Sequence, residues 1–172
     1  MRAESRLERL CRFLPFLGAG LAVVAVLVAT IVWMQGGAHL RLEGKIGRVR
    51  TLALPDASSL LVVDFRVRNE ADYPFVVRQV QIFVQTEEGE TLEGAVASEI
   101  DTSALFQYYP ILGPRYNPTL VARTKIEPRQ SLDRMLAARF EAEEGRLQSR
   151  RGLRIRIEEL DGAVSEIVEQ RP

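Results

Sequence analysis

From Phe13 to Met34 the sequence FLPFLGAGLAVVAVLVATIVWM runs for 22 residues without a charge. Nothing else in the chain constrains its architecture as strongly. As a helix rising about 1.5 Å per residue, such a run extends about 33 Å, against a bilayer hydrocarbon core of about 30 Å. Pro15 falls in the first turn, where a missing N–H costs little. Trp33 falls at the far end, where an interfacial aromatic belongs. The run exceeds the apolar core of a secretory signal, about 7–15 residues, and QGGAH beyond it is a poor cleavage site. The expectation is therefore an uncleaved transmembrane helix over 13–34. A short head, 1–12, precedes it; a joint, 35–39, and a domain, 40–172, follow.

The head carries Arg2, Arg6, Arg9 and Arg12, and the far flank carries Arg41, Lys45, Arg48 and Arg50, so the basic residues tie. Two considerations break the tie. The arginines of the head are packed tightly against the span, and large domains translocate largely regardless of their charge. The reading is a single-pass protein of the inner (cytoplasmic) membrane, with its N-terminus cytoplasmic and its C-terminal domain outside. Of the 23 basic residues only Lys45 and Lys125 are lysine, an arginine bias that suggests a GC-rich bacterial genome. Along the span, Gly18, Ala22, Ala25 and Ala29 fall on one helical face. Small residues let a second helix approach closely. The stripe is either a homo-oligomer or partner-helix contact, or a plain anchor with incidental alanines.

Beyond the joint the pattern switches to period two. LLVVDFRVRN puts Leu61, Val63, Phe65 and Val67 on one face and Asp64, Arg66 and Arg68 on the other, a half-buried strand. EADYP breaks it with a turn. FVVRQVQIFVQT resumes with Val80, Ile82 and Val84 on one face; EEGE signals a hairpin and TLEGAVA a return strand. TLVARTKIEP alternates Leu120, Ala122, Thr124 and Ile126. LRIRIEEL and AVSEIVE flank Asp161-Gly162, a hairpin signal of the type I′ kind. SLDRMLAARFEAEEGRL is ambiguous between helix and strand; the need of a neighbouring strand for a partner favours strand through Phe140, then a helical turn near 143–148. With GKIGRVRTLAL as the first strand the count reaches about eight. The fold class expected is all-β, an immunoglobulin-like antiparallel β-sandwich behind one transmembrane α-helix.

The stretch VDFRVRNEADYPFVVRQVQIFV, with its strand ending at Asn69, a turn closing at Pro74 and a second alternating strand, resembles the core of the water-stress and late-embryogenesis-abundant group-two domains. The resemblance implies an immunoglobulin-like sandwich tethered by one N-terminal membrane helix, a stress-protective structural role near the bilayer, and no catalytic residues. The layout is also similar to that of the copper-delivering assembly factors of cytochrome oxidase. Those depend on a cysteine pair in the domain, which this domain lacks.

Function classes narrow by elimination. Twenty-three basic and 23 acidic residues cancel, so no nucleic-acid partner is indicated. The lone cysteine, Cys11, lies in the head, leaving the domain without disulfides or cysteine metal sites. The lone histidine, His39, sits just past the span with no partner to make it a positioned base. Glu87, Glu88 and Glu90 cluster on a hairpin without calcium-loop spacing. Arg146, Arg150, Arg151, Arg154 and Arg156 are interspersed with acids and read as a mixed, solvated surface. No enzyme, metal or cofactor is indicated.

One segment resists all periodicity. ALFQYYPILGPRYNP, 104–118, holds three of the four tyrosines and three of the eight prolines. A connection this long is often functional, prolines pre-set its backbone, and tyrosines suit binding surfaces. Tyr108, Tyr109, Pro110, Pro114 and Tyr116 are the candidate partner-binding residues. The alternative is a sheet-to-sheet crossover whose tyrosines cap the core. The functional expectation is a non-enzymatic, membrane-anchored accessory or assembly protein with the lipid bilayer and a protein as partners.

Overall fold

The computed structural model describes residues 42–169, together with 24–26 and 28. The chain divides into two units, Met1–His39 and Leu40–Pro172. Within the first, residues 24–26 and 28 are helical and exposed. The rest of the 13–34 span lies outside the described residues, Gly18, Ala22 and Ala29 among them. No helix among the described residues is long and apolar enough to cross a membrane.

The second unit is mostly antiparallel β. Its strands are β1 (Leu42–Leu54), β2 (Ser58–Asn69), β3 (Phe75–Gln85), β4 (Thr91–Val96), β5 (Lys125–Ile126), β6 (Ser131–Phe140), β7 (Gly152–Glu159) and β8 (Val164–Val168). Two helices interrupt them, α1 (Glu99–Tyr108) and α2 (Glu144–Gln148), with a 3₁₀ turn at Pro110–Leu112. The strands join in the order β1-β2-β6-β4-β3-β7-β8, with the short β5 on β3. That sheet curls into two layers, a β-sandwich.

The curl turns on β4. Its first half pairs with β3, from Gln85↔Thr91 to Ile82↔Gly94, and its end pairs with β6 through Ala95↔Arg139 and Val96↔Ala138. Gly94 sits at this change of partner, with the Phe140 ring where a side chain would be: a Cβ there would lie 2.5 Å from Cζ. At the opposite margin β1 comes up against β8. The Leu42 N–H donates to Ser165 Oγ at 2.9 Å, and the Ile167 side chain occupies the space over Gly44.

The core follows from period-two patterning. Leu61, Val63, Phe65 and Val67 of β2, Phe75, Val77, Ile82 and Val84 of β3, Leu136, Ala138 and Phe140 of β6, and Leu153, Ile155 and Ile157 of β7 interlock between the layers. Burying a side chain of that size contributes about 1.5–3 kcal/mol. β3 keeps both Val77 and Ile82 inward, despite their odd spacing, because a bulge between Val77 and Gln79 shifts its register on β7.

Three expectations need correcting. β2 is not half-buried: Leu60 and Val62 on its other face are buried too, against a second apolar cluster with Met135 and Ala137. Strand buried on both faces reads as a continuous apolar run, which is what LLVV, 60–63, is. The alternation from Leu120 to Ile126 yields only the two-residue β5, because Val121 to Thr124 turn, with Arg123 at φ 66°. The Asp161-Gly162 hairpin forms, but not through a type I′ turn. Gly162 N–H donates to Glu159 O (2.9 Å), only Gly162 has positive φ (89°), and Glu159 N–H returns to Ala163 O (2.8 Å). This is the three-residue loop, a type I turn closed by a left-handed glycine.

Candidate functional site

Between β4 and β5 the chain leaves the sheet and crosses the outer surface of β1, β2 and β6. The excursion begins at Ser98, whose Oγ accepts from the Asp101 N–H at 3.1 Å and donates to its carboxylate at 2.7 Å. That cap starts α1. Thr102 is buried beneath the helix. Leu105, Phe106 and Tyr109 pack with Leu112 on Leu60, Val62, Met135 and Ala137. Pro110 opens the 3₁₀ turn, where its missing N–H costs nothing. The chain then runs back beside α1, and Leu120 N–H and Pro118 O both bond to Met135 (2.9 and 3.0 Å).

Two arginines pin the excursion. Arg50 of β1 donates to Leu112 O (2.7 Å), Pro114 O (3.0 Å) and Asp64 Oδ2 (2.9 Å), and its guanidinium lies 5.2 Å from the Phe106 ring centre. Asp64 in turn accepts from Asn117 Nδ2 at 2.9 Å. Arg50 and Asp64 are both largely buried, at 13% and 10% side-chain exposure. A pair so placed is costly to break, because each charge has given up its water. Arg115 reaches from the returning segment to Ser103 Oγ (2.9 Å), Thr119 Oγ1 (3.1 Å) and the Glu99 carboxylate. Hydrogen bonding to Arg115, then to Thr119, holds the Glu99 carboxyl below its ordinary range.

The five candidate residues all lie on this excursion but divide in orientation. Tyr109 turns inward and is partly buried. Pro110 and Pro114 are exposed, Pro114 serving through its carbonyl. Tyr116 is exposed beneath two guanidinium groups, those of Arg48 (4.7 Å from the ring centre) and Arg50 (5.5 Å). Tyr108 stands out into solvent at 77% exposure, edge-on to the Tyr109 ring at 4.7 Å. The segment is both a crossover that covers the sheet and a carrier of outward side chains.

Two outward residues escape a reading of composition alone. Ile100 is 80% exposed and Ile111 81%. Ile100, Ala104 and Tyr108 recur every fourth residue along α1, all exposed, so they share a face. Ile111 follows in the next turn. The result is an apolar stripe along α1, with Ile111 exposed in the 3₁₀ turn after it, on a braced backbone.

Elsewhere many of the charged groups are paired. Arg146 pairs with Glu90 (2.6 Å) and Glu88 (3.5 Å), Arg129 with Asp72 (2.8 Å) and Glu70 (3.6 Å), and Arg154 with Glu166 (3.6 Å). Arg150 is buried in a two-pronged pair with Glu169 (3.0 and 2.6 Å) that ties α2 to the end of β8. Among the described residues no group of three or more His, Cys, Asp or Glu side chains is placed to hold a metal ion. A shallow groove of about 300 Å³ lies on the outer face of β3, β7 and β8, between Phe83, Leu153, Arg154, Glu166 and Val168.

No family model and no curated protein matches this chain. Among solved structures it is similar to an ApaG protein from Pseudomonas aeruginosa PAO1, at 14% identity over 67% of this chain and 92% of that one, with a TM-score of 0.36. It is also similar to an uncharacterised β-sandwich protein from Clostridium difficile 630, at 8% identity over 76% of this chain and 86% of that one, with a TM-score of 0.39. At these values neither likeness bears on what this chain binds.

Proposed function

We propose that this chain is a single-pass membrane-anchored protein. Its sandwich, immunoglobulin-like in shape, acts without catalysis as an accessory or assembly module for a protein partner at the cell envelope. The observation that carries this reading is the stripe of Ile100 and Tyr108 with Ile111 after it, three large apolar side chains turned to solvent. The backbone beneath them is fixed by Arg50 and Arg115. Large apolar groups held rigidly in water lose little entropy on binding, which is what a docking surface needs. The charge-free run 13–34 supports the anchor.

The test is site-specific photocrosslinking. A benzophenone amino acid is placed at Ile111 of the full chain in its native membranes, with a second at exposed Glu93 on the other layer as control. One dominant adduct from Ile111 and none from Glu93 is expected, and Tyr108→Asp should reduce it severalfold without altering the amount of folded protein. Equal, diffuse labelling from both positions would defeat the reading. Extraction of the chain by alkaline carbonate would defeat the anchor.

A further inference from the structure

Apart from Val168, which lines the groove, the large exposed apolar residues among those described in the domain fall into two groups. One is the stripe on the excursion with Tyr116. The other is Tyr73, Val121, Leu160 and Val164, and the register places these four together at one end of the sandwich. Leu42 pairs with Asn69, and the turn leading to Tyr73 starts there. The Asn69 side-chain amide donates to Tyr73 O at 2.7 Å and to Ile126 O at 3.1 Å. Leu160 N–H bonds to Val76 O, and Arg123 N–H to Val77 O, on the first residues of β3. Val164 precedes Ser165, the residue that holds the Leu42 N–H. This is the end at which the chain enters the domain.

On the anchored reading proposed above, seven residues, 35–41, connect Met34 to Leu42. Fully extended they reach about 25 Å. β1 alone is 13 residues long, roughly 43 Å at about 3.3 Å per residue. The domain therefore cannot stand on its opposite end, with the Thr86–Glu90 hairpin, because Leu42 would then be held farther from the bilayer than those seven residues reach. The Leu42 end can reach it with chain to spare. Most charges of that end are matched in pairs, Arg68 with Glu70, Arg129 with Asp72, Lys125 with Glu127 and Arg78 with Glu158, and the exposed Arg123 and Asp161 are of opposite sign. Attraction to anionic lipid has little to act on there. A tyrosine at 67% exposure beside a leucine at 55% is instead suited to the headgroup boundary, where one end of the ring is wet and the other apolar.

We infer that this end of the sandwich rests on the bilayer surface, with Tyr73 and Leu160 as its contact residues and zwitterionic lipid as a sufficient surface. The domain then stands on its entry end, and the apolar stripe of the excursion remains free on its flank. The inference rests on the anchored reading and deepens it.

The experiment uses the full chain carrying Cys11→Ser in phosphatidylcholine nanodiscs. Single reporters come from Tyr73→Cys, Leu160→Cys or Ile111→Cys, each labelled with an environment-sensitive fluorophore. A quencher borne on lipid headgroups should dim the labels at 73 and 160 severalfold more than the label at 111. Replacing part of the lipid with phosphatidylglycerol, or raising the salt, should leave that ratio unchanged. If the label at 111 is quenched as strongly, the domain lies on its flank and the inference falls. If the protein co-purifies with the discs and no label is quenched, the inference falls while the anchor stands. If the protein does not co-purify with the discs, both fall.

Discussion

Asn69 and Ile126 lie 57 residues apart in sequence and are joined by a 3.1 Å hydrogen bond from side-chain amide to main-chain carbonyl. The same amide donates to Tyr73 O at 2.7 Å, and its oxygen accepts from the Ala71 N–H at 3.0 Å. One fully buried side chain thus closes the β2–β3 turn and ties β5 to it. Asn69→Ala would strand two carbonyls and an N–H, at a cost of about 2–3 kcal/mol. Asn69→Asp keeps the acceptor, loses both donors and sets a charge against two carbonyls, so it should be at least as damaging. Urea unfolding of both variants checks this; an Asp variant near wild type would show the donors to be dispensable.

Gly94 and Gly44 both face close neighbours, and they should respond differently to rescue. The three atoms nearest a Cβ at Gly94 are all side-chain atoms, of Phe140 and Ala138. Gly94→Ala should cost about 1–3 kcal/mol, and Phe140→Leu in the same chain should recover part of it. At Gly44 a Cβ would meet the Ile167 side chain and also the Arg66 carbonyl, at 2.7 Å. Ile167→Ala should therefore fail to rescue Gly44→Ala. Thermal melts of the two double variants decide it.

Asp56 and Ala57 turn the β1–β2 hairpin, both in the left-handed region at φ 60° and 50°. Aspartate tolerates that region; alanine gains nothing there. Ala57→Gly should raise stability by about 1 kcal/mol, read as a higher urea midpoint with an unchanged slope.

Acid should loosen the excursion. Glu99 is held below its ordinary value of 4.5, first by its hydrogen bond to Arg115. Asp133 is held below 3.8, first by its hydrogen bond to Arg66. A carboxylate whose folded pKa is depressed contributes its full stabilisation above the unfolded value, and loses it as pH falls through the folded one. The urea midpoint should hold from pH 7 to about pH 5 and decline below about 4.5. Glu99→Gln should start lower and decline less steeply. A parallel decline in both would remove Glu99 from the account.

The sequence was most legible where burial is one-sided or the turn chemistry is local. β3, β6 through Phe140, and the helical turn near 144–148 stand where the pattern placed them. It was least legible over α1. Ser98 with Asp101 three residues on is a helix-start signal. The helix, however, buries Leu105, Phe106 and Tyr109 on one side while leaving Ile100 and Tyr108 exposed on another. Apolar residues on two faces erase the periodicity by which an amphipathic helix is recognised. Covering one layer with that helix also explains why Leu60 and Val62 alternate with nothing polar. The tyrosine–proline segment could be recognised as special from composition, but which tyrosine turns outward depends on contacts with β1 and β2 that no local pattern encodes.

The contact of Ile167 over Gly44 has a consequence for how these molecules behave when crowded. A strand at the margin of a sheet offers unpaired N–H and C=O groups to any neighbouring chain, and aggregation proceeds by such edge-to-edge pairing. Here the two margins, β1 and β8, are folded against each other, and the Leu42 N–H is already satisfied by Ser165. Each edge guards the other. A glycine that gives the Ile167 side chain room, and so lets the sandwich shut, is also what denies each copy's margin to the next.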